Sequence, residues 1–118
     1  MMKLILTFSI SLILLGCSNS DSSQLSSNFN KSESFHVYGN CGSCKKTIES
    51  SLVDLNGIGN ANWDKETKQI KVDFDSTKIS LSQIKNKIAA VGYDTKEVRA
   101  EESVYKSLPG CCQYERPE

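Results

Sequence analysis

Proline is nearly missing from this 118-residue chain, occurring only at Pro109 and Pro117. No position in the body can therefore supply a cis-proline, a conformation confined in practice to X–Pro bonds. Histidine occurs once, as His36, which limits the usual acid–base options and excludes a multi-histidine metal site. No charge of one sign predominates: 14 Lys plus Arg balance 14 Asp plus Glu. The balance excludes the basic footprint of a nucleic-acid binder and a charged arm built for an anionic surface. Long hydrophobic runs are also lacking, since the longest, Leu4 to Leu15, is about a dozen residues where a membrane span needs ~20. A hydrophobic content of 38% in 118 residues supports one domain with one small core. Cysteine is what the chain has in excess, with five residues.

Residues 1–16 read as a leader: a positive start with Lys3, an apolar run, and a small residue before the cleavage point. The Leu14-Leu15-Gly16-Cys17 ending resembles the lipobox of bacterial lipoproteins. That resemblance implies a lipid on Cys17 and a membrane-anchored protein facing the periplasm or the cell exterior. An ordinary signal peptide with a coincidental cysteine is the plainer alternative. Cleavage before Cys17 leaves 102 residues, with 13 basic and 14 acidic side chains. Residues 17–33 follow as a tether. Eight of the seventeen residues 18–34 are serine, a composition that cannot bury enough apolar surface to offset its ordering entropy. Its r.m.s. span is about 23 Å.

The body, residues 34–99, alternates strand and helix patterns. Phe35 and Val37 alternate with His36 and Tyr38, a strand that Gly39-Asn40-Cys41-Gly42 breaks. Cys44, Ile48, Leu52 and Leu55 form one helical stripe, with Gly57 as its stop. Ala61 and Trp63, then Ile70, Val72 and Phe74, predict a hairpin across the polar turn 64–68. Ser80 caps a second stripe of Leu81, Ile84, Ile88 and Val91 that ends at Gly92. Residues 93–99 read as a last strand. The order βαββαβ predicts an α+β, ferredoxin-like sandwich, with a four-stranded antiparallel sheet and two helices on one face. Phe35, Trp63 and Phe74 belong to the predicted core. His36, Tyr38, Lys71 and Asp73 face water on the open side, and His36 is an exposed strand residue there rather than a ligand.

The chemistry lies in Gly39-Asn40-Cys41-Gly42-Ser43-Cys44. Cys41 falls in the loop and Cys44 in the first helical turn. A helix N-terminus offers free N–H groups and a partial positive charge, which lower a thiol pKa. Two intervening residues let both sulfurs address one ion. Soft thiolates select soft ions such as Cu(I), and a pair suits a low-coordinate ion better than tetrahedral Zn²⁺. Lys45 and Lys46 beside this site are read as a solvated helix face, against a role in balancing a dithiolate or meeting an acidic partner.

This pattern resembles the heavy-metal-associated domain family of copper chaperones, metal-binding modules of copper-transporting ATPases and a periplasmic mercury-binding protein. The resemblance covers about residues 34–99. It implies that Cys41 and Cys44 are the metal ligands and that metal passes to a metal-transporting or metal-accepting partner by ligand exchange. Cu(I) comes first, with Hg(II) and Zn(II) as alternatives. Gly92-Tyr93-Asp94 is similar to the bacterial members, which implies that Tyr93 lies beside the metal and shields it. The family's Gly-Met-x-Cys loop is shortened here to Gly39-Asn40-Cys41, without the methionine that anchors it. Asn40 is suited to a left-handed backbone in the shortened loop.

Cys-Gly-Ser-Cys also resembles a thioredoxin-type site, and export opens an oxidising compartment. The short body, the element order and the lack of a proline to face the pair oppose that reading. A plain structural disulfide is the other alternative. No nucleophile–base pair suggests hydrolytic catalysis, so the expectation is a carrier or scavenger, not an enzyme.

Residues 100–118 form a tail, with a short helix over 100–108 ended by Pro109-Gly110, then Cys111-Cys112. The last strand carries the chain about 20 Å from the metal loop. Ten residues span about 33 Å extended but only ~14 Å as helix, so a return demands a partly extended tail. The expectation is that Cys111 and Cys112 add thiolates to the site. An independent metal pair, a disulfide to the main motif and an intermolecular contact are the alternatives. The protein is then a monomer, or a metal-bridged dimer.

Overall fold

The computed structural model describes residues 29–118. The leader, Cys17 and the tether up to residue 28 lie outside the described residues. Among those described, no helix is long and apolar enough to cross a membrane.

The elements run β1 (Lys31–His36), α1 (Gly42–Val53), β2 (Ile58–Trp63), β3 (Gln69–Phe74), α2 (Leu81–Ala90) and α3 (Glu102–Lys106), then a 3-10 turn at Gly110–Cys112. The sheet is antiparallel in the order β1-β3-β2. The central β3 follows its alternation closely: Ile70, Val72 and Phe74 are buried, while Lys71 is exposed. α1 buries Cys44, Ile48 and Leu52, and α2 buries Ile84, Ile88 and Ala89. These faces meet the sheet in one core around the fully buried Trp63. α2 opens as predicted at Ser80, whose Oγ accepts from the Gln83 N–H while the Gln83 side chain accepts from the Ser80 N–H. It stops at Gly92, where φ is +104°, a left-handed conformation that glycine adopts without a Cβ penalty.

Three features differ from the sequence reading. β1 starts at Lys31, ahead of the expected boundary at 34. Asn30 ties this end down, its side chain bonding the Ser76 backbone N–H and hydroxyl at 2.9 Å each. Phe35 is only half-buried, with Lys85 Nζ 5.1 Å from its ring centroid.

The expected fourth strand is the larger correction. Three strands are present among the described residues, and residues 93–99 contribute one antiparallel bridge, Val37 to Thr95. The Tyr38 N–H also bonds the Asp94 carbonyl at 2.9 Å. Pairing stops there because side chains take over the backbone. The Thr95 N–H turns back to the Val98 carbonyl at 2.9 Å, and Thr95 Oγ1 accepts from the Val98 N–H. Asp94 Oδ1 then takes the Ala100 N–H at 2.7 Å. A chain folded into its own side-chain bonds has no N–H row left for a ladder.

Candidate metal centre

Cys41 and Cys44 sit where β1 gives way to α1. Cys41 is the N-cap residue of α1, with an extended backbone (φ −138°, ψ −178°), so its side chain stands beside the first turn's free N–H groups. Cys44 is one turn in, fully buried, with the Asn40 N–H donating to its sulfur at 3.4 Å. The two Sγ atoms are 3.7 Å apart. Asn40 is not left-handed: Lys68 is the one non-glycine residue with positive φ among the described residues. The backbone N–H of Cys44, then that of Ser43, with help from the Cys44 and Cys111 side chains, pull the Cys41 thiol down to about 6 against opposing desolvation. A lowered pKa favours the thiolate, the form that binds metal.

Trp63 replaces the missing methionine as the loop's anchor. Its indole N–H donates to the Val37 carbonyl at 3.0 Å. A Cβ on Gly39 would meet the Trp63 ring at 3.0 Å, so only glycine lets the loop lie this close. Lys45, read as a solvated side chain, is half-buried and ties α1 to β2. Its Nζ bonds the Glu49 carboxylate, Asn62 Oδ1 at 2.7 Å and the Trp63 carbonyl at 2.9 Å. Lys46 is exposed.

The tail returns to this junction. The short α3 leaves enough chain to double back, and the turn after Pro109 delivers Cys111 and Cys112. Cys112 Sγ lies 3.8 Å from Cys41 Sγ and 3.8 Å from Cys111 Sγ. Cys41 Sγ also contacts the Cys111 carbonyl at 3.5 Å. The sulfurs of Cys41, Cys111 and Cys112 all lie within 4.8 Å of one another. Cys112 is buried and Cys111 exposed. Burial first, then the neighbouring Cys44, Cys111 and Cys41 thiols, push Cys112 up to about 12 although Tyr93 pulls the other way.

Tyr93 is fully buried. Desolvation first, then the adjacent Cys112 and Cys44 sulfurs, raise its pKa. Its hydroxyl is the one buried side-chain polar atom without a hydrogen-bond partner among the described residues. The five predicted site residues of the body and tail therefore meet in one place. His36 stays apart, half-buried against Tyr38 at a ring distance of 4.4 Å. Cys17 lies outside the described residues.

Sequence reasoning missed the clamp that holds the tail. Tyr114 stacks on Tyr93 at 5.7 Å and lies 6.5 Å from Tyr38. Its hydroxyl donates to the Gly92 carbonyl and accepts the Asp94 N–H, both at 2.8 Å. Arg116 grips Asp94. A partial signal was available in the sequence, where Cys112 and Tyr114 alternate with the polar Gln113 and Glu115, and Cys112 and Tyr114 are both buried in the fold.

Known proteins share the fold and part of the sequence. The heavy-metal-associated domain matches residues 40–94, so Cys111 and Cys112 lie beyond the matched segment. The chain is 38% identical over 65 residues to the copper chaperone CopZ of Staphylococcus saprophyticus, covering 54% of this chain and 96% of that relative. It is 39% identical over 56 residues to the copper chaperone CopZ of Staphylococcus haemolyticus, covering 48% and 82%. Among solved structures, a CopZ metallochaperone superposes with a TM-score of 0.53 at 36% identity, over 55% of this chain and 98% of that one. A copper-binding domain from HMA7, a P-type ATPase, gives 0.53 at 26% identity, over 60% and 96%. A Cys-x-x-Cys pair at the strand–helix junction, in this fold and with these relatives, makes the chain a member of the heavy-metal-associated domain family.

Proposed function

We propose that this protein is an extracytoplasmic Cu(I) carrier or scavenger, held to a membrane by a lipid on Cys17. The observation that carries the metal reading is the Cys41–Cys44 pair, 3.7 Å apart at the start of α1, in a chain related to copper chaperones. Paired thiolates favour a soft monovalent ion, with Hg(II) and Zn(II) ranked behind. Transfer proceeds by thiolate exchange: an acceptor sulfur bonds the ion as a Cys41 or Cys44 sulfur leaves it, with no change in oxidation state. A metal-accepting protein with its own exposed Cys-x-x-Cys is the natural partner, such as the similarly folded copper-binding domain of a P-type ATPase. The role is carriage, not catalysis.

The test is an anaerobic Cu(I) titration of the reduced chain against a chromophoric chelator. Competitive binding that disappears in Cys41→Ser/Cys44→Ser supports the reading, and no competition at any chelator strength refutes it. For the anchor, Cys17→Ala should move the protein from the membrane fraction to the soluble fraction. A protein that is soluble before the substitution would refute the lipid.

A further inference from the structure

The Cys-x-x-Cys pair is not the whole thiol content of this junction. A carrier built for rapid exchange leaves its two ligands open to the acceptor. Here a second cysteine pair, beyond the segment matched to the family, is folded back over the first. Cys112 is 1% exposed, with its sulfur 3.8 Å from that of Cys41. Cys111 stands at the surface, 3.8 Å from Cys112.

Sulfur spacing discriminates among coordination numbers. Metal–thiolate bonds of about 2.3 Å separate two sulfurs by roughly 4.6 Å across a linear ion, 4.0 Å around a trigonal one and 3.8 Å around a tetrahedral one. The spacings of 3.7 Å for Cys41–Cys44 and 3.8 Å for Cys41–Cys112 fall short of the linear span by nearly an ångström. They match the tetrahedral span and lie within about 0.3 Å of the trigonal one, so they point to an ion held by more than two thiolates.

A second observation points into the same space. Among the described residues the Tyr93 hydroxyl is buried without a hydrogen-bond partner, and its sulfur neighbours are Cys112 and Cys44. Orphaned buried donors are rare in native proteins. A metal-bound thiolate keeps lone pairs that accept hydrogen bonds, so loading Cys44 or Cys112 would give this hydroxyl its acceptor. The tail is also fixed over the site, because Tyr114 and Arg116, two and four residues beyond Cys112, are bonded to Gly92 and Asp94 on either side of Tyr93.

We propose that Cys112 is a third protein ligand, so that one chain holds a soft ion, Cu(I), in a trigonal site of Cys41, Cys44 and Cys112, with Cys111 as the exposed thiol at its mouth. This rests on the metal-binding reading and deepens it. Loading releases the Cys112 proton to solvent and leaves the ion's oxidation state unchanged. The consequence is retention: an acceptor must displace three sulfurs instead of two, and Cys111 is the one placed to pass the ion outward. The protein therefore behaves as a tight scavenger that releases metal slowly, unlike an open two-thiolate carrier.

The decisive experiment is X-ray absorption on the whole chain, reduced and anaerobic in mild detergent, with one equivalent of Cu(I). It is paired with chelator competition and a sedimentation check that the loaded species is monomeric. The wild-type chain should show three Cu–S neighbours, falling to two in Cys112→Ser. Loss of a group that merely supports a ligand costs about 10–100-fold in metal affinity, so Cys112→Ser should weaken binding at least tenfold. Two Cu–S neighbours in the wild type would overturn the proposal without any variant, even if Cys112→Ser failed to fold, and would leave the Cys41–Cys44 reading intact. Three neighbours retained in Cys111→Ser/Cys112→Ser would also overturn it, since the third sulfur would then come from another chain. No Cu(I) binding by the wild type would remove both readings together.

Discussion

Arg116 forks onto Asp94, its Nε 2.9 Å from Oδ2 and its Nη2 2.9 Å from Oδ1. Asp94 is fully buried and follows Tyr93, while Arg116 lies four residues beyond Cys112. One bidentate pair thus fastens the tail to the loop beside the candidate metal centre. Such a pair adds geometric specificity to its charge. Arg116 also donates to the Ala100 carbonyl and stacks over the Tyr105 ring at 4.6 Å.

Arg116→Ala should therefore destabilise the protein well beyond a surface substitution. It strands a buried carboxylate, and breaking a buried pair costs about 3–5 kcal/mol. Urea denaturation of the metal-free protein would read this as a lower midpoint at unchanged slope. A loss below about 0.5 kcal/mol, the range for ordinary surface changes, would mean that the tail is not anchored by this pair.

The same pair sets an acid limit. Desolvation raises the Asp94 carboxyl, but the Arg116 side chain and the Ala100 N–H outweigh it and hold Asp94 below its ordinary value. A group with a lowered native pKa contributes stability above its unfolded pKa, near 3.9 for Asp, and loses it as pH falls through the native value. Stability should therefore drop on acidification below about pH 4. That drop should shrink in Asp94→Asn, measured as the change in urea midpoint between neutral and acid pH.

Thiol reactivity should separate the two cysteine pairs. Cys41 is drawn down to about 6, chiefly by the Cys44 backbone N–H, and Cys112 is pushed up to about 12, chiefly by burial. Iodoacetamide labelling of the metal-free protein, mapped by peptide mass, should half-activate Cys41 near pH 6 and leave Cys112 unlabelled at pH 8. Equal labelling of both at pH 8 would show that the tail does not sit over the site.

What could be read from the sequence was whatever a regular period or a cap encodes. The Ile70-Val72-Phe74 alternation, the Cys44-Ile48-Leu52 stripe and the Ser80 cap all reappear as elements. The last strand did not, because residues 93–99 carry strand-like composition while Asp94 and Thr95 spend their side chains on local backbone N–H groups. Binary pattern does not register that competition. The missing loop methionine was visible, but its replacement by Trp63 was not, since Trp63 lies more than twenty residues away and reaches Val37 only through the fold. Long-range pairings such as Asp94 with Arg116 leave no local periodicity at all.

Tyr93→Phe gives the sharpest test of the orphaned hydroxyl, because its effects have opposite signs with and without metal. In the metal-free protein the hydroxyl is buried without a partner among the described residues, a state that costs about 1–3 kcal/mol for a polar group. Phenylalanine keeps the ring that stacks on Tyr114 at 5.7 Å and removes only the stranded oxygen. The metal-free variant should therefore be at least as stable as the wild type in thermal melts. With Cu(I) bound, the hydroxyl can donate to the Cys44 or Cys112 thiolate, and losing a partner of a metal ligand costs about 10–100-fold in affinity. Chelator competition should show weaker Cu(I) binding by the same variant. A destabilised metal-free protein with unchanged Cu(I) affinity would mean that Tyr93 serves only the core, and that the space between its hydroxyl and the sulfurs has no part in holding the ion.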